Sequence, residues 1–205
     1  MNIKLLQLLV LMVGCIWNVK AQNTDIDLLK KINKTETNFK NDYLGFCSKS
    51  AAPISIGAPV SLYVVGLLKK DKKMQYNGLT MASSFVVSSI VTQGMKRIIA
   101  KERPYKTYSF IIKRDDDGGG YAMPSGHTSS AFSTATSLSI AYPKWYVIAP
   151  AYIWASSVAW SRMYQGEHYP SDVLVGALVG AGSAWLCEVV RKKIEKKHIP
   201  VSKNL

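Results

Sequence analysis

Apolar residues along this chain gather into a short run near the N-terminus and five longer stretches, at about 51–68, 78–99, 124–142, 145–160 and 172–190. Most have the length of a helix that crosses a bilayer core, roughly 17 to 25 residues, and the fourth is marginally short. All five are rich in Ala, Ser, Gly and Thr, side chains small enough to let membrane helices approach closely. The pattern predicts an all-α fold, a membrane-embedded bundle of about five transmembrane helices. The same small polar residues weaken the hydropathy signal, which leaves a soluble helical bundle as the alternative.

Two segments precede the bundle. Lys4, the apolar run from Leu5 to Trp17 and the small residues around Val19-Lys20-Ala21 have the layout of a secretory signal peptide cut after Ala21. An uncleaved anchor is the competing reading. Residues 22–50 are polar and lysine-bearing, yet Ile26, Leu29 and Ile32 recur at helical spacing. They predict an amphipathic helix lying on a membrane or on the body of the protein. The expected organisation is therefore a signal peptide (1–21), a polar extracytoplasmic segment (22–50), the helical bundle (51–190) and a basic cytoplasmic tail (191–205).

The hydrophobic fraction of 48% and the mean hydropathy of +0.04 do not choose between membrane and soluble classes. Charge placement does. A net charge of +13 points to nucleic acid, an anionic membrane surface or a phosphorylated substrate. No nucleic-acid module accompanies it, so a nucleic-acid partner is not expected. Lys69, Lys70, Lys72 and Lys73, then Lys144, then Arg191, Lys192, Lys193, Lys196 and Lys197 sit at alternate ends of successive stretches. Counting crossings puts all three groups on one side, which the positive-inside rule makes cytoplasmic. Segments 100–123 and 161–171 then face outward, with the region after the signal. The expected location is a bacterial inner (cytoplasmic) membrane, with those segments facing the periplasm or exterior.

Candidate chemistry lies in or beside these outward segments. Lys96 and Arg103 are two helical turns apart and can project from one face, with Pro104 ending the helix. Pro124-Ser125-Gly126-His127 opens the third stretch. A Ser cap, a Gly that allows close approach and free N–H groups at a helix start together make an anion site. Asp172 follows His168 by four residues, within reach of a carboxylate–imidazole contact that fixes the tautomer and strengthens the other nitrogen as nucleophile. It equally suits the first turn of the last helix on dipole grounds.

Lys96 through Pro104 has the form K-x6-R-P, Pro124 through His127 reads P-S-G-H, and Ser161 through Asp172 reads S-R-x5-H-x3-D. This triple pattern strongly resembles the type 2 phosphatidic acid phosphatase family, which also includes bacterial soluble acid phosphatases and vanadium haloperoxidases. The resemblance covers about residues 78–190. It implies that Lys96, Arg103 and Arg162 hold phosphate oxygens, helped by Ser125 and Gly126. His168 would attack phosphorus to form a phosphohistidine, oriented by Asp172, and His127 would protonate the leaving oxygen and then activate water. It implies neither a metal nor a cofactor. The substrate class it suggests is a lipid phosphate: phosphatidic acid, phosphatidylglycerophosphate, polyprenyl diphosphate or lipid A. The rivals are a secreted acid phosphatase acting on small esters, a vanadium haloperoxidase and a silent membrane protein that binds anionic lipids.

Several residues carry weaker expectations. Cys47, placed ahead of the first bundle helix, and Cys187, late in the last, are expected near opposite faces and unbridged. Asp115 through Gly120 reads as a flexible outer loop, since its triple Gly lacks calcium-ligand spacing. Trp145, Tyr146, Trp154 and Trp160 suit either interface depth or bundle packing. Tyr164 and Tyr169 are candidates for the substrate entrance. Asn33-Lys34-Thr35 fits a glycosylation sequon that has meaning only in a eukaryotic source.

Overall fold

The computed structural model describes residues 20–34, 36–114 and 119–198. Among them there is no strand. The helices are α1 (Lys20–Lys34), α2 (Asn38–Leu68), α3 (Lys72–Ile99), the short α4 (Pro104–Thr107), α5 (Gly126–Ala141), α6 (Trp145–Tyr164) and α7 (Pro170–His198). The signal segment through Val19 and most of the Asp115–Gly120 loop lie outside the described residues.

Each of the five apolar stretches forms one helix, but several boundaries move. α2 starts at Asn38 because Thr37 caps it, its side chain accepting from the Lys40 amide. Cys47 therefore lies inside a helix, buried, rather than ahead of one, and both Cys47 and Cys187 are free. Asp71 caps α3 in the same way through Met74. The lysine-rich link between α2 and α3 is consequently only a few residues, and it folds tightly onto Gly66, whose carbonyl accepts from the Gln75 side chain. α7 runs on through most of the basic tail to His198.

α5 is the central helix, packed against α2, α3, α6 and α7. That position explains its composition. Thr128, Ser129, Ser133, Thr134 and Ser137 are buried against neighbouring helices, so the helix has no need to be apolar. Small residues bring backbones together. A Cβ on Gly78 would lie 2.8 Å from the Tyr63 amide of α2, and one on Gly180 would lie 2.2 Å from the Ser129 carbonyl oxygen of α5. Large apolar side chains point the other way: Leu68, Ile90, Ile98, Ile153 and Leu174 are exposed on the outside of the bundle. Two helices, α2 and α7 over Pro170–Lys196, are long and apolar enough to cross a membrane. α5 falls short of that test at 16 residues.

The amphipathic N-terminal helix packs on the protein body. Leu29 and Ile32 of α1 are buried in a cluster with Ile111, Met163, Tyr164 and Tyr169. Asn33 is buried too, and its amide donates to the Ile112 and Tyr164 carbonyls while its oxygen accepts from the Ile112 N–H. That side chain is no glycosylation acceptor, because every polar atom is committed inside the fold. Trp145, Tyr146 and Trp160 are exposed, whereas the Trp154 indole donates to Ser50 within the bundle.

Candidate active site

The site is built where α3, the strap at 100–103, the turn before α5, the 165–169 loop and the start of α7 converge. Hydrogen bonds join them directly. The Ser125 amide donates to the Asp172 carbonyl at 3.0 Å, and the Ala122 amide donates to the Lys101 carbonyl at 2.7 Å.

Lys96 and Arg103 are not on one helix, contrary to the expectation from their spacing. α3 stops at Ile99, and Ala100 adopts a left-handed conformation that ends it before Pro104 has any effect. Arg103 is the residue flanking α4, with Pro104 at that helix's first position. Its guanidinium is buried and forked across three acceptors: the Gly119 and Gly120 carbonyls and the Glu167 carboxylate. Lys96 donates to the Tyr121 carbonyl. Arg162, 1% exposed, donates to Ser48 and Gln165 and lies 3.9 Å from the same Glu167 carboxylate.

The turn before α5 differs in detail from the expected cap. Ser125 occupies the cap position, but its side chain makes no cap hydrogen bond and instead accepts from the Thr128 hydroxyl. Helix geometry leaves the first-turn amides without partners inside the helix, and Gly126 and His127 are its first two residues. His127 is half-buried.

The loop that carries His168 closes back on the end of α6, with both the Glu167 and His168 amides donating to the Arg162 carbonyl. Gly166 permits this. Its φ is +75°, and a Cβ there would lie 2.6 Å from the Ile112 carbonyl oxygen. His168 is buried, and its Nδ1 lies 3.7 Å from Asp172 Oδ2, an ion-pair separation longer than a hydrogen bond. Burial pushes the imidazole down to about 3 against the opposing pull of Asp172, with Arg162 and Arg103 adding to the fall. The ring is therefore neutral near pH 7, the form with a free lone pair. Asp172 is fully buried, accepting from the Tyr169 amide on one oxygen and from Lys101 on the other.

Three residues here have no counterpart among the sequence candidates. Lys101 binds Asp172, Asp25 of α1 binds Ser171, and Glu167 bridges toward two arginines. Only Glu167 carried a signal, its place next to His168 within the third motif. Tyr164 is buried, with its hydroxyl on Asn41, and so is not an entrance residue. Tyr169 helps line a cavity of about 310 Å³ with Asp25, Lys101, Glu102, Thr107 and Tyr108. A larger open groove of about 730 Å³, between α2 and α6, contains none of the candidate residues. Size does not locate the chemistry in this molecule.

Known proteins resemble this chain in sequence and in fold. The model of the PAP2 superfamily matches residues 77–196. An undecaprenyl-diphosphatase of Sulfolobus acidocaldarius is 29% identical over 177 residues, covering 84% of this chain and 83% of that protein. A lipid A 4'-phosphatase of Bacteroides thetaiotaomicron is 32% identical over a shorter stretch, 45% of this chain and 41% of the relative. The crystal structure of a transmembrane PAP2-type phosphatidylglycerolphosphate phosphatase from Bacillus subtilis superposes with a TM-score of 0.77 at 20% identity, over 94% of this chain and 96% of that one.

Proposed function

Since the chain belongs to the PAP2 superfamily, we propose that it is a lipid phosphatase that works through a covalent phosphohistidine on His168. The observation that carries this reading is the placement of the buried His168 ring 3.7 Å from the Asp172 carboxylate, beside the buried Arg103 and Arg162.

Lys96, Arg103 and Arg162 hold the phosphate oxygens, trading the protein acceptors they now use for those of the substrate. Arginine's planar fork suits two oxygens at once. The Ser125 hydroxyl and the Gly126 amide add neutral donors at the helix start. The neutral His168 ring attacks with the nitrogen remote from Asp172, forming a P–N bond as the P–O bond to the leaving group breaks. Asp172 balances the positive charge that then develops on the ring. His127 gives its proton to the leaving oxygen, then takes one from the water that attacks the phosphohistidine and frees inorganic phosphate. The three cations supply the electrostatic stabilisation that metal ions provide in other phosphatases.

The inverted arrangement of side chains supports a membrane setting. Apolar residues line the outside of the bundle while Ser, Thr and Gly pack its interior, the pattern of helices that face lipid. In this reading α2, α3, α5, α6 and α7 all span the bilayer, with α5 shielded by its neighbours, and the basic ends lie in the cytoplasm. The site then faces the periplasm or exterior of a bacterial inner membrane, at the depth of lipid headgroups. The names of the relatives favour a polyprenyl diphosphate, a lipid A phosphate or phosphatidylglycerophosphate as substrate.

The test is to mix purified enzyme with radiolabelled lipid phosphate in chelator, quench with alkali within one turnover, and map the label. Label on His168, stable to alkali and lost in acid, is expected. A fast turnover that leaves no labelled protein, or one that stops in chelator and returns with magnesium, would overturn the mechanism.

A further inference from the structure

Asp172 does not face His168 alone. Lys101 Nζ donates to Asp172 Oδ1 at 2.8 Å and to Ser171 Oγ at 3.0 Å, and it sits 4.0 Å above the centre of the Tyr169 ring. A lysine this close cancels the carboxylate's charge, and a neutral pair does little to stabilise an imidazolium nearby. The structure holds a second carboxylate in reserve. Asp25 of α1 accepts from the Ser171 amide at 2.8 Å through Oδ1 and from the Ser171 hydroxyl through Oδ2, and Oδ2 lies 3.5 Å from Lys101 Nζ. Asp25 is 10% exposed, Lys101 21%, and Asp172 not at all. Water screens this chain of charges poorly.

We propose that Asp25 is a positioning residue for catalysis, sharing Lys101 with Asp172 so that the group facing His168 keeps a net negative charge. The chain runs Asp25, Lys101, Asp172, His168, with Ser171 as the hydrogen-bonded bridge. Asp25 also satisfies a first-turn amide of α7, an N–H with no partner in its own helix, and so holds the turn that carries Asp172. α1 is fixed for this task by Leu29 and Ile32 in the core and by the three hydrogen bonds of Asn33. α1 lies outside residues 77–196, the part that matches the family model. The N-terminal segment therefore belongs to the working site rather than being an appendage to it.

The inference rests on the reading of His168 and Asp172 given above, and the experiment separates the two. Rates of phosphate release are measured for Asp25→Asn, Asp25→Glu, Lys101→Gln, the double variant Asp25→Asn with Lys101→Gln, and His168→Ala, per folded enzyme. Asp25→Asn is expected to lower kcat on the order of tenfold, the effect of removing one unit charge from the buried relay that faces the developing imidazolium. KM should change little, since Asp25 does not touch phosphate. Asp25→Glu should recover most of the rate. With Lys101 already neutralised, Asp25→Asn should cost little more, because there is no longer a cation to share. Asp27→Asn, an exposed change on the same helix, serves as control and should match wild type.

An unchanged kcat in Asp25→Asn, or an equal fall with and without Lys101, would overturn the proposal and leave Asp25 a docking contact only. Ser171→Ala removes the hydroxyl bridge yet keeps the backbone bond that docks α1, so it tests the chain should Asp25→Asn fail to fold. It is expected to lower kcat, and a wild-type rate would likewise count against the proposal. If instead His168→Ala retains activity, the catalytic reading itself fails, whatever Asp25 does.

Discussion

Replacing Gly180 by alanine sets two effects of known size against each other. In a helix interior the exchange is favourable by about 1 kcal/mol on propensity alone. At this position, however, the new Cβ would lie 2.2 Å from the Ser129 carbonyl oxygen and 2.8 Å from the Ser133 amide nitrogen. Both are backbone atoms of α5 that cannot swing aside. Ordinary contact begins near about 3.5 Å, so the two helices must part by roughly 1 Å. Overpacking of this kind costs about 1–3 kcal/mol, and the absence of a yielding side chain argues for the upper end. The clash outweighs the propensity gain, and Gly180→Ala should destabilise the protein by about 1–2 kcal/mol. Gly182, two residues on and so on nearly the opposite face of the same helix, has nothing within 4 Å of its would-be Cβ. Gly182→Ala should be neutral or stabilising by up to about 1 kcal/mol.

The same displacement reaches the site. Ser129 lies one turn after Ser125, whose amide holds the Asp172 carbonyl at 3.0 Å. Parting α5 and α7 by roughly 1 Å takes that bond beyond hydrogen-bond range. Gly180→Ala should thus lose phosphate release as well as stability, while Gly182→Ala keeps both. Thermal unfolding in detergent, run beside an activity assay, reads the two effects together. Gly180→Ala equal to or more stable than Gly182→Ala would refute the claim that this glycine sets the helix spacing.

Other perturbations test the surroundings of the phosphate site. Arg103→Lys cannot reproduce a planar fork on three acceptors, so KM should rise at least tenfold in initial-rate measurements; an unchanged KM would remove Arg103 from phosphate binding. Glu167 sits between Arg103 and Arg162 with its carboxyl raised by burial, the arginines opposing. As pH climbs through that raised value the carboxyl ionises and competes with phosphate, so KM should rise with pH in wild type and much less in Glu167→Gln. Parallel KM profiles would show that Glu167 only props Arg103. Asn33→Ala takes the partner from the Ile112 amide and carbonyl and one of two donors from the Tyr164 carbonyl, which keeps Arg114. A loss of about 2–4 kcal/mol is expected in chemical unfolding, and an unaffected midpoint would mean that α1 is not held there.

The helical class and the motif turns were legible in the sequence because they depend on local rules. Apolar stretch length, the Pro124-Ser125-Gly126-His127 turn and the spacing of Arg162, His168 and Asp172 act over a few residues each. What was not legible is long-range. Lys101 and Asp172 are 71 positions apart, and Asp25 and Ser171 are 146 apart, so no local pattern pairs them. Pro104 is the stop signal visible in the sequence, whereas α3 ends earlier, at Ala100 in a left-handed conformation. The small residues of the stretch at 124–142 predict close helix approach, but that α5 packs its Ser and Thr against four neighbours is a fact only packing reveals.

The most direct measurement is phosphate release from a panel of lipid and soluble phosphates, in the presence of chelator, by membranes carrying wild-type protein or His168→Ala. The account predicts release by wild type alone, with a lipid phosphate or diphosphate preferred over soluble esters. Substantial release by His168→Ala would contradict it, because the proposed covalent intermediate forms on that ring.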